Sequence, residues 1–188
     1  MKRLFSIEDL WERFKSLGAL NYAPEGFQSQ FGLGGVFHVE CFDKEGNLRW
    51  ADDAKNAATD QGLNHALNVV FGGTTPVTPW YIGLITGTGT LAAADTLASH
   101  AGWTEGMDYT GTRKEWTEGA ASAKVMTNSA SVDFAISNTM TVKGAFLASV
   151  TSGTTGVLFC TALFTGGEQA VRNGDTLKVT YTLTASTS

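Results

Sequence analysis

A chain of 188 residues with 43% hydrophobic and 11% aromatic side chains holds enough apolar material for one full core and little room for a second domain. Its formal net charge of -5 argues against the basic field that draws a protein to DNA, RNA or an anionic membrane. No stretch approaches the ~20 apolar residues needed to cross a bilayer, and the basic start at Lys2 and Arg3 turns acidic at Glu8 and Asp9 before a signal peptide could develop.

The charge is uneven. Residues 1–60 hold seven of the 13 Lys/Arg and ten of the 18 Asp/Glu, which leaves a weakly charged body rich in Thr, Ser, Gly and Ala. A surface of that kind stays in solution through hydroxyls more than charges and associates readily, as a subunit of an assembly does.

The first element is an amphipathic helix over 6–17. Ser6 is its N-cap with Asp9 three residues on, Phe5 and Leu10 form a hydrophobic staple, and Gly18 ends it. Ile7, Leu10, Trp11, Phe14 and Leu17 repeat at helical spacing, so one face must be buried somewhere. Residues 19–35 mix aromatics with Pro24 and several glycines without a period and read as an extended arm. Two readings stand side by side: helix and arm fold back on their own body, or they dock on a neighbouring subunit. On the second, the contact residues are Leu10, Trp11, Phe14, Leu17, Tyr22, Phe27 and Phe31.

The body follows from residue 36 to 188. Stretches 36–42 and 48–51 flank the turn 43–47, whose Gly46 suits positive φ, and form a β-hairpin. A helix over 60–71 places Leu63, Leu67, Val70 and Phe71 on one face and ends at Gly72 and Gly73. The apolar run 80–85 suits a central strand covered on both faces. Residues 86–120 read as loops, with one helical turn over 95–100 capped by Asp95. Beyond them the period becomes two: Val132, Phe134 and Ile136 alternate with polar or small neighbours, as do Leu177, Val179, Tyr181 and Leu183 with Lys178, Thr180, Thr182 and Thr184. Stretches 141–149 and 156–164 are strands between them. The pattern is mainly β: an antiparallel β-sandwich or jelly-roll-like body, with the N-terminal amphipathic helix, the arm and one or two short helices.

Chemistry is hard to find. Cys41 and Cys160 sit in apolar strand patterns and read as free buried thiols. His38, His65 and His100 lack metal-ligand spacing. Asp95, Ser99 and His100 have the residue types of a triad, but Ser99 and His100 are adjacent and no nucleophile elbow surrounds the serine. Asp52-Asp53 does not continue into a calcium loop, and the glycines at 32–35 and 87–89 lack phosphate-binding partners. The pairs Glu105 with Asp108 and Glu115 with Glu118 would need a defined separation to cleave a glycosidic bond. No catalytic residue, metal site or cofactor is expected.

Six segments resemble a family of small tailed-bacteriophage virion proteins encoded near the major capsid protein. They are Val39-Glu-Cys-Phe-Asp-Lys-Glu-Gly-Asn-Leu-Arg-Trp50, Gly62-Leu-Asn64, Trp80-Tyr-Ile-Gly-Leu-Ile85, Asp95-Thr-Leu-Ala-Ser-His-Ala-Gly-Trp-Thr-Glu105, Arg113, and Gly174-Asp-Thr-Leu-Lys-Val-Thr-Tyr-Thr-Leu183. The resemblance spans 36–184, leaves out 1–35 and carries no catalytic residues. It implies a non-enzymatic part of a virion, assembled in the host bacterial cytoplasm and bound to the major capsid protein or other virion proteins. The preferred role is a capsid decoration or cement protein, a homo-oligomer and by expectation a trimer. The alternatives are a neck, collar or tail protein, or a receptor-binding module using Trp103, Tyr109 and Trp116 as a glycan platform.

Overall fold

The computed structural model describes residues 31–187, of which Gly32–Ser186 form one compact unit. The partner-contact residues Leu10, Trp11, Phe14, Leu17, Tyr22 and Phe27 lie outside the described residues; Phe31 is the first residue of a strand.

Two strands open the body, β1 (Phe31–Phe42) and β2 (Leu48–Ala58), paired antiparallel with Cys41 opposite Trp50 and Val36 opposite Lys55. Their turn is built by Asp43, whose Oδ1 accepts from the backbone N–H of Glu45 at 3.0 Å and of Asn47 at 2.8 Å. Gly46 there has a φ of 85°, the left-handed conformation for which the turn needs glycine. Both strands outrun the hairpin read from sequence, and β1 begins within the stretch read as arm.

The helix α1 (Asp60–Phe71) follows directly, and β3 (Trp80–Thr86) is next. The stretch read as loops contributes two short strands that pair with β3, β4 (Thr104–Gly106) and β5 (Lys114–Trp116). No helical turn stands at 95–100. Thr96 and Ser99 close a tight bridge through reciprocal backbone bonds, because Asp95 turns back to accept from the N–H of Ala92 at 3.0 Å instead of capping a helix. The remaining strands are β6 (Val125–Thr127), β7 (Val132–Ala135), β8 (Met140–Val142), β9 (Gly144–Ala148), β10 (Leu158–Leu163), β11 (Gln169–Val171) and β12 (Thr176–Thr187). The strand read over 141–149 is thus two, β8 pairing with β11 and β9 with β3 and β10.

Ten strands form one antiparallel system in the order β4, β3, β9, β10, β2, β1, β12, β6, with β5 added on β3 and β7 on β12. The system folds over at β2. Its residues 48–55 pair with β1, while Asn56, Ala57 and Ala58 pair with Ala162, Thr161 and Cys160 of β10. One strand therefore serves both layers of a sandwich, and the layers close on a common core of Phe37, Val39, Phe134, Leu177, Val179 and Tyr181 against Ile82, Leu84, Leu147, Cys160 and Ala162.

The layer carrying β3, β9 and β10 is buried on its other face too. Ile85, Phe146, Ala148 and Leu158 pack there beneath Leu97 and Trp103 from the long loop. Every residue of β9 is buried for this reason, and the unbroken apolar runs of β3 and β10 follow from the same double coverage. Phe146 passes so close to β3 that a Cβ on Gly83 would lie 2.2 Å from its ring.

Helix α1 is fixed at its start. Thr59 is the N-cap, its Oγ1 accepting from the N–H of Gly62 at 3.0 Å, and its own N–H donates to the carbonyl of Phe159 at 3.0 Å. Gln61 Oε1 accepts from the N–H of Leu158 at 2.9 Å. Gly62 lies so near β10 that a Cβ there would meet the Phe159 carbonyl oxygen at 2.2 Å. The side turned to the sheet thus holds small residues, Gly62 and Ala66 with Val69, while Leu63, Leu67, Val70 and Phe71 stand exposed. Gly62→Ala must push the helix off β10 and is expected to destabilise the body by about 1–3 kcal/mol, the usual cost of overpacking, read as a lower urea midpoint at unchanged slope.

Candidate interaction surface

The polar residues singled out as possible chemistry serve the loops instead. Asp95 is buried, and its Oδ2 accepts from the indole N–H of Trp103 at 3.0 Å as well as from Ala92. His100 stacks on Trp103 with ring centroids 3.9 Å apart, and its Nδ1 lies 3.0 Å from the Trp103 carbonyl. Ser99 is exposed on the Thr96 bridge, and no bond joins it to His100 or Asp95. The three residues anchor a loop.

Asp52 and Asp53 point to opposite faces of β2. Asp52 is buried and accepts from the N–H and Oγ1 of Thr165 at 2.9 and 3.0 Å and from the N–H of Gly166 at 2.7 Å. Asp53 lies outside with Nδ1 of His38 at 2.7 Å. His65 meets Trp80 edge-on at 5.6 Å. Among the described residues no group of three or more His, Cys, Asp or Glu converges as a metal site.

Glu105 makes no partnership with Asp108. Its two carboxylate oxygens receive Nε and Nη2 of Arg113, both at 2.7 Å, in a bidentate pair. Arg113 is itself buried, donates onward to the carbonyls of Val150 at 3.0 Å and Gly153 at 2.9 Å, and lies over the Phe146 ring. One guanidinium thus ties β4 and the 149–157 loop over the back of the sheet.

The aromatic platform is not a surface. Trp103 is 4% exposed, Tyr109 3% and Trp116 3%, each packed into the body. Burial holds the Tyr109 hydroxyl well above its ordinary pKa, with Glu105 adding to the rise. These rings plug the sandwich because β3 and its neighbours are too short to cover the core alone, so stacking of a sugar on them is ruled out.

Both cysteines are free and buried. Burial, helped by the nearby Asp175 carboxylate, raises the Cys41 thiol to about 11, and burial raises Cys160 to about 11. Thiolate chemistry is suppressed at neutral pH.

Two apolar features remain on the outside. A cleft of about 210 Å³ opens between the layers, lined by Val77, Trp80, Trp116, Met126, Phe159 and Leu183 together with the charged Glu118. The second is the outer face of α1, where Leu63 is 41% exposed, Leu67 53%, Val70 68% and Phe71 83%. Asn64 and Asn68 flank it, and α1 contains no Lys or Arg. Sequence spacing identified this stripe but not its outward orientation. The Thr-rich face of β12 is partly used internally: Thr182 Oγ1 donates to Thr127 Oγ1 at 3.1 Å, and of Thr180, Thr182 and Thr184 only Thr184 is exposed.

The β-sandwich commits its buried charges to its own loops, and four of its exposed large apolar side chains stand together on one helix. The chain belongs to the family of the podophage GP4 fiber I protein gp80, whose model matches residues 54–184, from the middle of β2 to near the end of β12. The comparison with curated proteins returns no match.

Arg113→Met leaves the Glu105 carboxylate and two loop carbonyls without their partner. It is expected to cost about 3 kcal/mol, measured by equilibrium urea unfolding. The thiols give a pH signature: the unfolded chain ionises near 9 while the folded chain holds both protons to about 11. The thiols' contribution to stability is therefore fully present below pH 9 and is lost as pH rises toward 11, and substituting both cysteines by Ala should make that fall shallower in thermal melts across the range.

Proposed function

We propose that this protein is a non-enzymatic structural component of a podophage virion on its tail-fibre side, working as a homo-oligomer that joins other virion proteins through its surfaces. The observation that carries the reading is the family match over 54–184, which covers most of the sandwich. The fibre family favours the tail-side alternative over shell decoration, the role preferred from sequence.

The arrangement of the body supports the same reading. Its polar side chains brace loops over a doubly covered sheet, which gives a rigid module able to carry load between neighbours. The buried charges Asp52, Asp95 and Arg113 are each held by several hydrogen bonds, so none is free to act as an acid, base or nucleophile. Rigidity and open apolar surface suit attachment.

Quantitative mass spectrometry of purified virions, with labelled antibody against the body viewed by electron microscopy, tests this. The expected result is a copy number set by the tail's low rotational symmetry and label at the tail vertex. Copies in the hundreds spread over the shell would reinstate decoration.

A further inference from the structure

We propose that the exposed face of α1 is a docking site for residues 5–17 of a second copy of this chain. The inference rests on the reading of the protein as a homo-oligomeric virion part and adds the contact that joins the copies.

The face is made for a helix. Leu63, Leu67, Val70 and Phe71 follow the spacing i, i+4, i+7, i+8, one continuous stripe over roughly two turns, and all four are exposed. Gly62, pressed on the Phe159 carbonyl, and the N-cap bonds of Thr59 hold the helix at its start, so the stripe is presented by a fixed element. Around it lie Asn64 and Asn68, and the one charged residue of α1 is Asp60 at its beginning. A neutral face without cations selects an apolar partner over a nucleic acid, an anionic lipid or an acidic peptide.

The occupant is indicated by the thirty residues that precede Phe31. Their sequence holds one amphipathic stretch, with Ile7, Leu10, Trp11, Phe14 and Leu17 on one side and Glu8, Glu12, Arg13 and Lys15 elsewhere. As a helix it would match α1 in length, since twelve or so residues rise roughly 18 Å in either. Residues 18–30 supply a spacer that can extend to roughly 45 Å at about 3.5 Å per residue, enough to reach the body of a neighbouring copy. Pairing of two α1 faces is the poorer solution: a second α1 offers four apolar side chains, against five, two of them large aromatics, in the N-terminal stretch. The N-terminal stretch adds Trp11 and Phe14 as large anchors, and its tether raises the local concentration within an oligomer. Each copy would give its N-terminal stretch to the next and receive one on α1, a head-to-tail contact of the kind that builds rings and filaments.

Disulfide trapping between two differently tagged full-length populations decides it, one carrying Phe14→Cys and the other Leu67→Cys. Cys41 and Cys160 are buried and do not compete. The expected result is a disulfide between the two tags after mixing and mild oxidation. Its absence overturns the proposal, as does an intrachain disulfide in a monomer when both substitutions are placed in one chain. As a second measure, Leu67→Asp with Phe71→Asp alters side chains that are 53% and 83% exposed. This pair should leave the body folded, with unchanged near-UV circular dichroism, while the sedimenting species drops to a monomer; an unchanged oligomer overturns the docking. Virion incorporation separates the two readings. Tail-side copies without the cross-link refute the docking alone, whereas shell-wide copies refute the fibre reading whatever the cross-link shows.

Discussion

Tyr181 is where the two layers of the body become one structure. Its ring stacks on Phe37 of the adjacent strand at 4.1 Å and meets Trp116 of the opposite layer edge-on at 5.3 Å. Its hydroxyl lies 3.4 Å from Cys160 Sγ across the core. Its backbone is equally occupied: the carbonyl accepts from the indole of Trp116 and the hydroxyl of Thr127, both at 3.2 Å, and the N–H donates to Asn128 Oδ1 at 2.7 Å. The carboxamide of Asn128 thus stands in for a strand between β6 and β7, and its Nδ2 completes the ladder at the Val179 carbonyl. Complete burial raises the Tyr181 phenol above its usual pKa, which keeps the hydroxyl neutral and available for this bond.

The loops are organised by a second constraint, that a charge taken out of water must be surrounded by partners. Asp175 receives the guanidinium of Arg49 and the N–H of Arg172, and Cys41 Sγ lies 3.8 Å away, so the turn before β12 is locked to the hairpin of β1 and β2. Asp52 does the same for the turn after β10, Asp95 for the Trp103 loop, and Arg113 for the loop after β9. Each resembles a site residue when seen alone. Together they explain how a body rich in short strands and long connections holds its loops in place.

Much of this was legible along the chain. The hairpin turn showed in Asp43, Gly46 and Asn47 because turn chemistry is local. Alternation in 132–136 and 177–183 gave the buried face of β7 and β12, since a strand with one wet face must alternate. The unbroken apolar run at 80–85 announced a strand covered twice. The short strands β4 and β5 were hidden, because three residues carry no period and these exist through pairing with β3. The turn at 95–100 was misread as helical for a related reason: Asp95 suits a cap, but its carboxylate was claimed by Trp103, eight residues on.

For the candidate surface, the sequence by itself determined a stripe on α1 and a matching stretch near the N-terminus, because helical periodicity is written in residue spacing. Only the tertiary structure decided which side of α1 faces inward. Two stripes were available, and the one with Gly62, Ala66 and Val69 faces β10 because small side chains let a helix backbone approach a sheet where Leu67 and Phe71 would clash. The same holds for Trp103, Tyr109 and Trp116, whose letters allow a sugar platform or a plug. Periodicity fixes which residues share a face, and the distance of closest approach to a neighbour fixes whether that face is core or surface.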